Sequence, residues 1–141
     1  MNFGLDFHHL GLTVRNPEGA LAFVRGLGYT AGEAVFDVEQ NVNLILCSHV
    51  TAPSIEIIFP GNSKSPVDNL LAKHTDGLVY HCCYVTKKLN ATLSAFSEAG
   101  LRTFCVSPPK PAVLFRGDKV SFHQIVGVGL IEIIEIQCVD D

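Results

Sequence analysis

Ile55-Glu56-Ile57-Ile58 recurs in this chain as Ile131-Glu132-Ile133-Ile134, and each copy places a glutamate inside a run of strand-forming isoleucines. A strand-like segment that carries a histidine precedes each copy, with His9 in the first half and His81 in the second. A carboxylate among apolar strand neighbours must be paired, protonated or bound to a metal if it points inward. The two His/Glu pairs therefore suggest four ligands for one cation, in a mixture that suits Zn, Ni, Co, Mn or Fe.

The surrounding sequence reads as one module written twice. A helical pattern follows each histidine segment, and the same offset of 72 residues separates His9 from His81 and the helix-closing Gly28 from Gly100. Apolar residues in both patterns recur at steps of three and four, as one buried helix face requires. The predicted strands that follow are residues 29–35, 42–47 and 54–59 in the first copy, and residues 102–107, 119–124 and 129–137 in the second. The sequence thus predicts β-α-β-β-β, twice.

Length and composition favour a single compact domain over residues 1–141. We expect module one at residues 1–60, a linker at 61–76 with a short helix from Val67 to His74, and module two at 77–141. A chain of 141 residues with 48% hydrophobic and 17% charged content can bury a core without disulfide staples. Its five cysteines are odd in number and lie mostly in predicted strands, which favours free thiols in a reducing compartment.

Charge and hydropathy exclude two classes of partner. The formal net charge is −4 and no Lys/Arg cluster stands out, so nucleic acid is a poor partner. The N-terminal residues lack a basic segment followed by an apolar stretch, and no apolar run approaches the roughly 20 residues of a membrane-spanning helix. We therefore expect a cytoplasmic protein that acts on a small molecule.

Strand alternation selects among the candidate ligands. Side chains two apart share a strand face, so His9 lies with Thr13 on one face while His8 turns toward the helices. Glu132 lies opposite in parity to Glu135, which we expect at the surface of the strand end. Cys83 shares the face of His81 and could bind metal or simply fill space as a buried thiol. The other histidines are predicted in exposed turns or loops: His49, His74 and His123.

The longest irregular stretch is predicted from Ser107 to Asp118, because Pro108-Pro109-Lys110-Pro111 cannot supply the hydrogen bonds of a strand ladder. Such a loop often contacts substrate, although a stiff connection between strands is an equally good interpretation.

At these residues the chain resembles the vicinal oxygen chelate superfamily (glyoxalase/bleomycin resistance/dioxygenase), closest to its methylmalonyl-CoA epimerase-like members. The resemblance covers nearly the whole length. It rests on four segments in order, each similar to a metal-ligand strand of the family: 9–14, 54–60, 77–85 and 130–133. Residues 39–42 also resemble the turn that lines the epimerase pocket.

The resemblance implies an α+β fold in which two β-α-β-β-β modules pack into an open, cup-shaped mixed sheet with one divalent metal, Co, Ni, Zn or Mn, on its floor. His9, Glu56, His81 and Glu132 would be the ligands. A fourth protein ligand at Glu56 argues against the Fe(II) dioxygenases, which use two histidines and one carboxylate. The site could form within one chain or across a homodimer.

The resemblance also implies an isomerase or lyase that removes a proton alpha to a carbonyl and stabilises the enolate with the metal, like methylmalonyl-CoA epimerase or glyoxalase I. Glu132 is the first candidate for the base. Gln40, Lys110 and Arg116 are assigned to substrate binding, and the substrate would be an acyl-CoA or another thiol conjugate. The alternative is a protein that sequesters a small antibiotic-like molecule in the same cup.

Overall fold

A computed structural model of the chain describes residues 2–137 and has an α+β fold. In chain order the elements are β1 (Asp6–Thr13), α1 (Pro17–Gly26), β2 (Thr30–Ala31), β3 (Val35–Asp37), β4 (Val42–Ser48), β5 (Ser54–Pro60), α2 (Pro66–Lys73), β6 (Leu78–Thr86), α3 (Leu89–Glu98), β7 (Thr103–Pro111), β8 (Lys119–Ile125) and β9 (Gly129–Glu135). A 3-10 turn, Val113–Phe115, lies between β7 and β8. The nine strands and three helices confirm the predicted fold class.

The described residues divide into two compact units. The N-terminal unit is residues 9–80, and the C-terminal unit is residues 81–137 together with residues 2–8. The start of β1 thus groups with the second half of the sequence. That the units form a single domain, with module boundaries at 60 and 77, stays a prediction from the sequence.

In the N-terminal unit the strands lie in the order β2-β4-β5-β1, and β3 pairs with β4 on the same side as β2, opposite β5. β1 runs parallel to β5, and the other pairings are antiparallel. The core lies between α1 and one sheet face and is formed by these buried residues: Val14, Val24, Ile45, Cys47 and Ile57. Every second strand residue therefore faces α1, which leaves the alternate positions for the opposite face.

The C-terminal unit repeats this plan with the strand order β6-β9-β8-β7. β6 runs parallel to β9, and the remaining pairs are antiparallel. One face packs on α3 through these buried residues: Leu89, Phe96, Ile125, Ile131 and Ile133. The opposite face carries a second cluster, Cys83, Ala112, Val120 and Ile134, against which Phe115 of the 3-10 turn packs.

The helices begin at capping groups. The Asn16 side chain accepts a hydrogen bond from the Glu18 amide at 3.0 Å, and Pro17 occupies the first helical turn of α1. α2 opens with a reciprocal capping box between Ser65 and Asp68.

α3 is capped from a distance. Its N-cap residue, Lys88, makes no side-chain capping bond. The Leu89 amide instead donates to Oε2 of Glu135 at 2.7 Å. Glu135 lies at the strand end, as predicted, and is partly exposed. The sequence did not reveal that its carboxylate meets the positive end of α3.

Two predicted segments differ from the structure. The predicted strand 29–35 is two short strands, β2 and β3, separated at Gly32, whose amide donates to the Leu46 carbonyl. The stretch predicted to be irregular from residue 107 is strand as far as Pro111. β7 is the last strand of its unit's order, and its register shifts twice against β8, so the prolines need not fill a central ladder.

Within residues 2–137, none of the helices has the length and apolar character needed to span a bilayer.

Candidate metal-binding and active-site residues

The first His/Glu pair lies on the face of the N-terminal unit that points away from α1. His9 is the register partner of Ser54, and Glu56 is the partner of Gly11, so the two side chains come from adjacent parallel strands. The distance from His9 Nε2 to Glu56 Oε2 is 3.7 Å. Both residues are buried, with 0% and 3% of their surface exposed.

The second pair has the same construction in the C-terminal unit. Glu132 is the parallel partner of Cys83, two residues after His81. The distance from His81 Nε2 to Glu132 Oε1 is 3.6 Å, and both residues are buried. In each unit, therefore, the glutamate lies opposite the residue two positions beyond the histidine. The repeat seen in the sequence is a repeat of site geometry.

The two separations fit shared coordination better than direct hydrogen bonds. An N–H···O bond spans about 2.7–3.2 Å, so the imidazole nitrogens at 3.6 and 3.7 Å are too distant to donate well to these oxygens. Two ligand atoms on one tetrahedral zinc-like ion lie about 3.4 Å apart, given metal bonds of about 2.1 Å. Within each pair, the nitrogen and the carboxylate oxygen are donors suited to a borderline divalent metal.

Burial makes each of these carboxylates costly to leave ionised. A carboxylate among isoleucines loses its hydration, so it must be paired, protonated or bound to a cation. The register partner of Glu56 on β4 is Leu46, and the next β4 residue on the same face is Leu44. At these two positions β4 therefore supplies no acid or base beside Glu56. Asn43 turns to the other face and donates to the Pro60 carbonyl at 3.1 Å.

Two residues, Cys83 and Phe122, adjoin the second pair. The Cys83 thiol is fully buried in the cluster with Val120 and Ile134, and donates weakly to the Tyr84 carbonyl at 3.8 Å. The ring of Phe122, the register partner of Glu132, meets the His81 imidazole edge-on with centroids 5.4 Å apart. Phe122 was not singled out in the sequence, although counting alternate residues back through the β8–β9 hairpin would place it there.

The prediction for His123 is wrong. It lies inside β8, is 3% exposed and places Nε2 2.8 Å from the Ser121 hydroxyl oxygen. Its register partner is Ile131, of the α3-facing core, so His123 lies on the opposite face from Glu132. Burial lowers the pKa of His123, which keeps the imidazole neutral.

His49 and His74, the other two histidines predicted outside strands, do lie outside the strands. His74 is exposed at the end of α2. His49 follows β4 and fastens the loop after it, since its Nδ1 accepts the amides of Thr51 and Ala52 while Nε2 lies 3.0 Å from the Leu27 carbonyl oxygen. The four cysteines among residues 2–137 are free thiols.

The three residues assigned to substrate binding lie in different settings. Gln40 is partly buried in the turn before β4, where its side-chain amide donates to Asp37 Oδ2 at 3.3 Å. Lys110 is exposed on β7 opposite Val120, which places it on the same sheet face as Glu132. Arg116 is exposed and ends the 3-10 turn with a left-handed backbone, φ 54°. The two cations therefore flank the turn that covers one end of the Glu132 face.

Comparison with known proteins gives consistent matches. Residues 8–122 match the family model described as Glyoxalase/Bleomycin resistance protein/Dioxygenase superfamily. A mitochondrial methylmalonyl-CoA epimerase from Dictyostelium discoideum is 22% identical over 116 residues, covering 82% of this chain and 68% of that protein.

Solved structures share the fold at similarly low identity. A hypothetical protein from Bacillus halodurans aligns with a TM-score of 0.77 at 20% identity, covering 97% of this chain and 98% of the other. A variant of Streptomyces coelicolor methylmalonyl-CoA epimerase, in complex with 2-nitronate-propionyl-CoA, aligns with a TM-score of 0.71 at 19% identity, covering 94% and 97%.

Proposed function

Because this chain belongs to the Glyoxalase/Bleomycin resistance protein/Dioxygenase superfamily, we propose that it is a metal-dependent enzyme that removes a proton alpha to a carbonyl, as an epimerase or a glyoxalase-like lyase does. The observation that carries the proposal is the pair of buried His/Glu pairs with matching separations of 3.7 and 3.6 Å.

His9, Glu56, His81 and Glu132 would hold one divalent ion, Co, Ni, Zn or Mn. Two neutral imidazoles and two carboxylates give a neutral complex with a doubly charged cation, which relieves the burial of both glutamates. Four protein ligands on an ion that accepts five or six leave room for a substrate oxygen. Such an ion would supply positive charge to the oxygen of an enolate.

Glu132 is the proposed base. Its carboxylate is buried beside an imidazole and among apolar residues, so it is poorly hydrated and can accept a carbon-bound proton when it loosens from the site. Glu56 would act only as a ligand. For this reaction, the carbonyl oxygen of the substrate would have to point toward the four proposed ligands.

A coenzyme A thioester or a related thiol conjugate is the proposed substrate class. It is supported by the methylmalonyl-CoA epimerase relatives, one of which has 2-nitronate-propionyl-CoA bound. Lys110 and Arg116 are exposed cations beside the 3-10 turn and would meet phosphate groups. Gln40, which donates to Asp37 in the turn before β4, would contact the substrate. A homodimer and a cytoplasmic location stay predictions from the sequence.

Solvent-deuterium exchange into 2-substituted acyl-CoA and hemithioacetal substrates tests the proposal. Glu132→Gln should keep partial metal binding, since an amide oxygen can coordinate, and lose exchange by a factor on the order of a hundred or more. Glu56→Gln is the matched control and should lose much less. Equal losses would reject Glu132 as the base. Absence of exchange in the metal-loaded parent, with small-molecule binding retained, would favour the sequestering alternative.

A further inference from the structure

The sheet face that carries His81 and Glu132 continues outward across β8 and β7. The register places Leu130 opposite Gln124, and Gln124 opposite Phe104. Cys82 is the partner of Ile131, so His81 lies beside Leu130 at the inner end of the same row. The row therefore runs from a proposed metal ligand to the edge strand through an amide and a phenyl ring.

Exposure rises along this row toward the edge strand. The neighbouring row on this face is buried and consists of Cys83, Glu132 and Phe122. In the row of His81, by contrast, Gln124 is exposed and Phe104 is 53% exposed. A phenylalanine left half open to solvent beside an amide that can donate and accept hydrogen bonds suits a ligand with an apolar body and a polar end.

We propose that Phe104 and Gln124 form the acyl-chain subsite of the enzyme, an inference that rests on the proposed function. Phe104 would pack against the acyl chain, and the Gln124 amide would bind a polar group near its end. Both are specificity-determining residues, and neither reacts.

The register sets the length of the acyl chain. Strands lie about 4.8 Å apart and alternate residues about 6.7 Å apart along a strand, so Gln124 is about 8 Å from Glu132 across the face. A hydrogen bond to Gln124 takes up about 3 Å of that separation. The remaining distance of about 5 Å corresponds to roughly four carbon–carbon bonds, which is the span from the reacting carbon, C2, to C6. The subsite thus suits a six-carbon acyl chain with a polar end better than a propionyl group.

Lys110 lies on the opposite side of the Glu132 row. Lys110 is the partner of Val120, and Val120 is the partner of Ile134. The row of Glu132 therefore lies between the row of Lys110 and the row of Phe104. A thioester would then lie along the face with its phosphates toward Lys110 and Arg116 and its acyl chain toward Gln124. The reacting carbon would sit between the two ends.

Binding measurements with three coenzyme A thioesters test the subsite: propionyl, hexanoyl and adipyl, the last being a six-carbon chain that ends in a carboxylate. Isothermal titration calorimetry on metal-loaded protein should give the parent at least tenfold tighter binding of adipyl-CoA than of propionyl-CoA. Phe104→Ala should weaken both six-carbon esters about tenfold and propionyl-CoA little. Gln124→Ala should remove the preference for adipyl over hexanoyl.

Cys105→Ala is the matched control. Cys105 is exposed on the same strand but is the register partner of His123, which places it on the opposite face. Its affinities should stay within twofold of the parent for all three esters, and all variants should melt like the parent.

The subsite is refuted if the parent has no preference for six-carbon chains, or if the Phe104 and Gln124 variants change the ratios no more than Cys105→Ala does. Deuterium exchange on the same samples keeps the two proposals separate. Altered chain preference without exchange would reject the proposed reaction and keep the subsite. Exchange with unaltered preference would reject the subsite alone.

Discussion

Replacing Glu135 by alanine should loosen the start of α3. Oε2 of Glu135 accepts a hydrogen bond from the Leu89 amide at 2.7 Å. Lys88 at the N-cap position makes no side-chain capping bond, so the Glu135 carboxylate takes the place of the cap. A net contribution of about 1.5–3 kcal/mol is typical of a hydrogen bond to a charged group. Because Glu135 is partly exposed, we reduce the expected loss to about 1–2 kcal/mol.

This loss corresponds to a fall in melting temperature of about 3–7 °C for a chain of this size. Thermal unfolding followed by circular dichroism would measure it, and hydrogen exchange would report on the Leu89 amide itself. Glu135→Gln keeps an acceptor without the charge and should lose about half as much. Glu98→Ala is the control, because Glu98 is an exposed acid at the last residue of α3, where a negative charge gives no benefit.

A Glu135→Ala variant that melts within 1 °C of the parent, with unchanged protection of the Leu89 amide, would refute the reasoning about this cap.

Three further predictions concern stability. Chelation should lower the melting temperature because it leaves two buried glutamates without their cation; an unchanged curve after confirmed metal loss would contradict a shared buried site. Burial lowers the pKa of His123, so the unfolded chain binds the proton more readily, and this residue should cost up to about 1.4 kcal/mol of stability per pH unit as the pH falls below about 6.5. Urea unfolding should show this slope flattened in His123→Gln and retained in the exposed control His74→Ala. Gly61→Ala should destabilise the fold by about 1–3 kcal/mol, because a Cβ there would overlap the Asn41 side chain and lie 2.8 Å from the Asn41 backbone carbonyl oxygen. Gly19→Ala is the control, because the space around Gly19 is open. Equal chemical denaturation midpoints for the two variants would contradict the crowding at Gly61.

Alternation and internal repetition were enough to predict both His/Glu pairs. A period of two fixed the face of His9 and of Glu132, and parallel pairing of the first and last strands of each copy brought each histidine beside its glutamate. The helices were equally predictable, because their apolar faces, Asn16 and Pro17 are local signals.

The wrong predictions depend on neighbours that are distant in sequence. The prolines of β7 are tolerated because that strand ends its unit's order, which no local pattern reveals. The capping role of Glu135 was missed because its partner, the Leu89 amide, is 46 residues away. His123 is a different case, because it was assigned to a turn although the predicted strand 119–124 already contained it, and β8 buries it beside Ser121. The row from His81 to Phe104 likewise required the register of three strand pairs.

Metal stoichiometry tests the central proposal, a single ion held by both pairs, most directly. Elemental analysis of purified protein should find about one divalent ion per chain, and His9→Ala or His81→Ala alone should each remove most of it, since either change takes a ligand from the same ion. A double His9→Ala, His81→Ala variant that keeps the parent's metal content would show that the ligand assignment is wrong. Two ions in the parent and one in each single variant would show two separate sites.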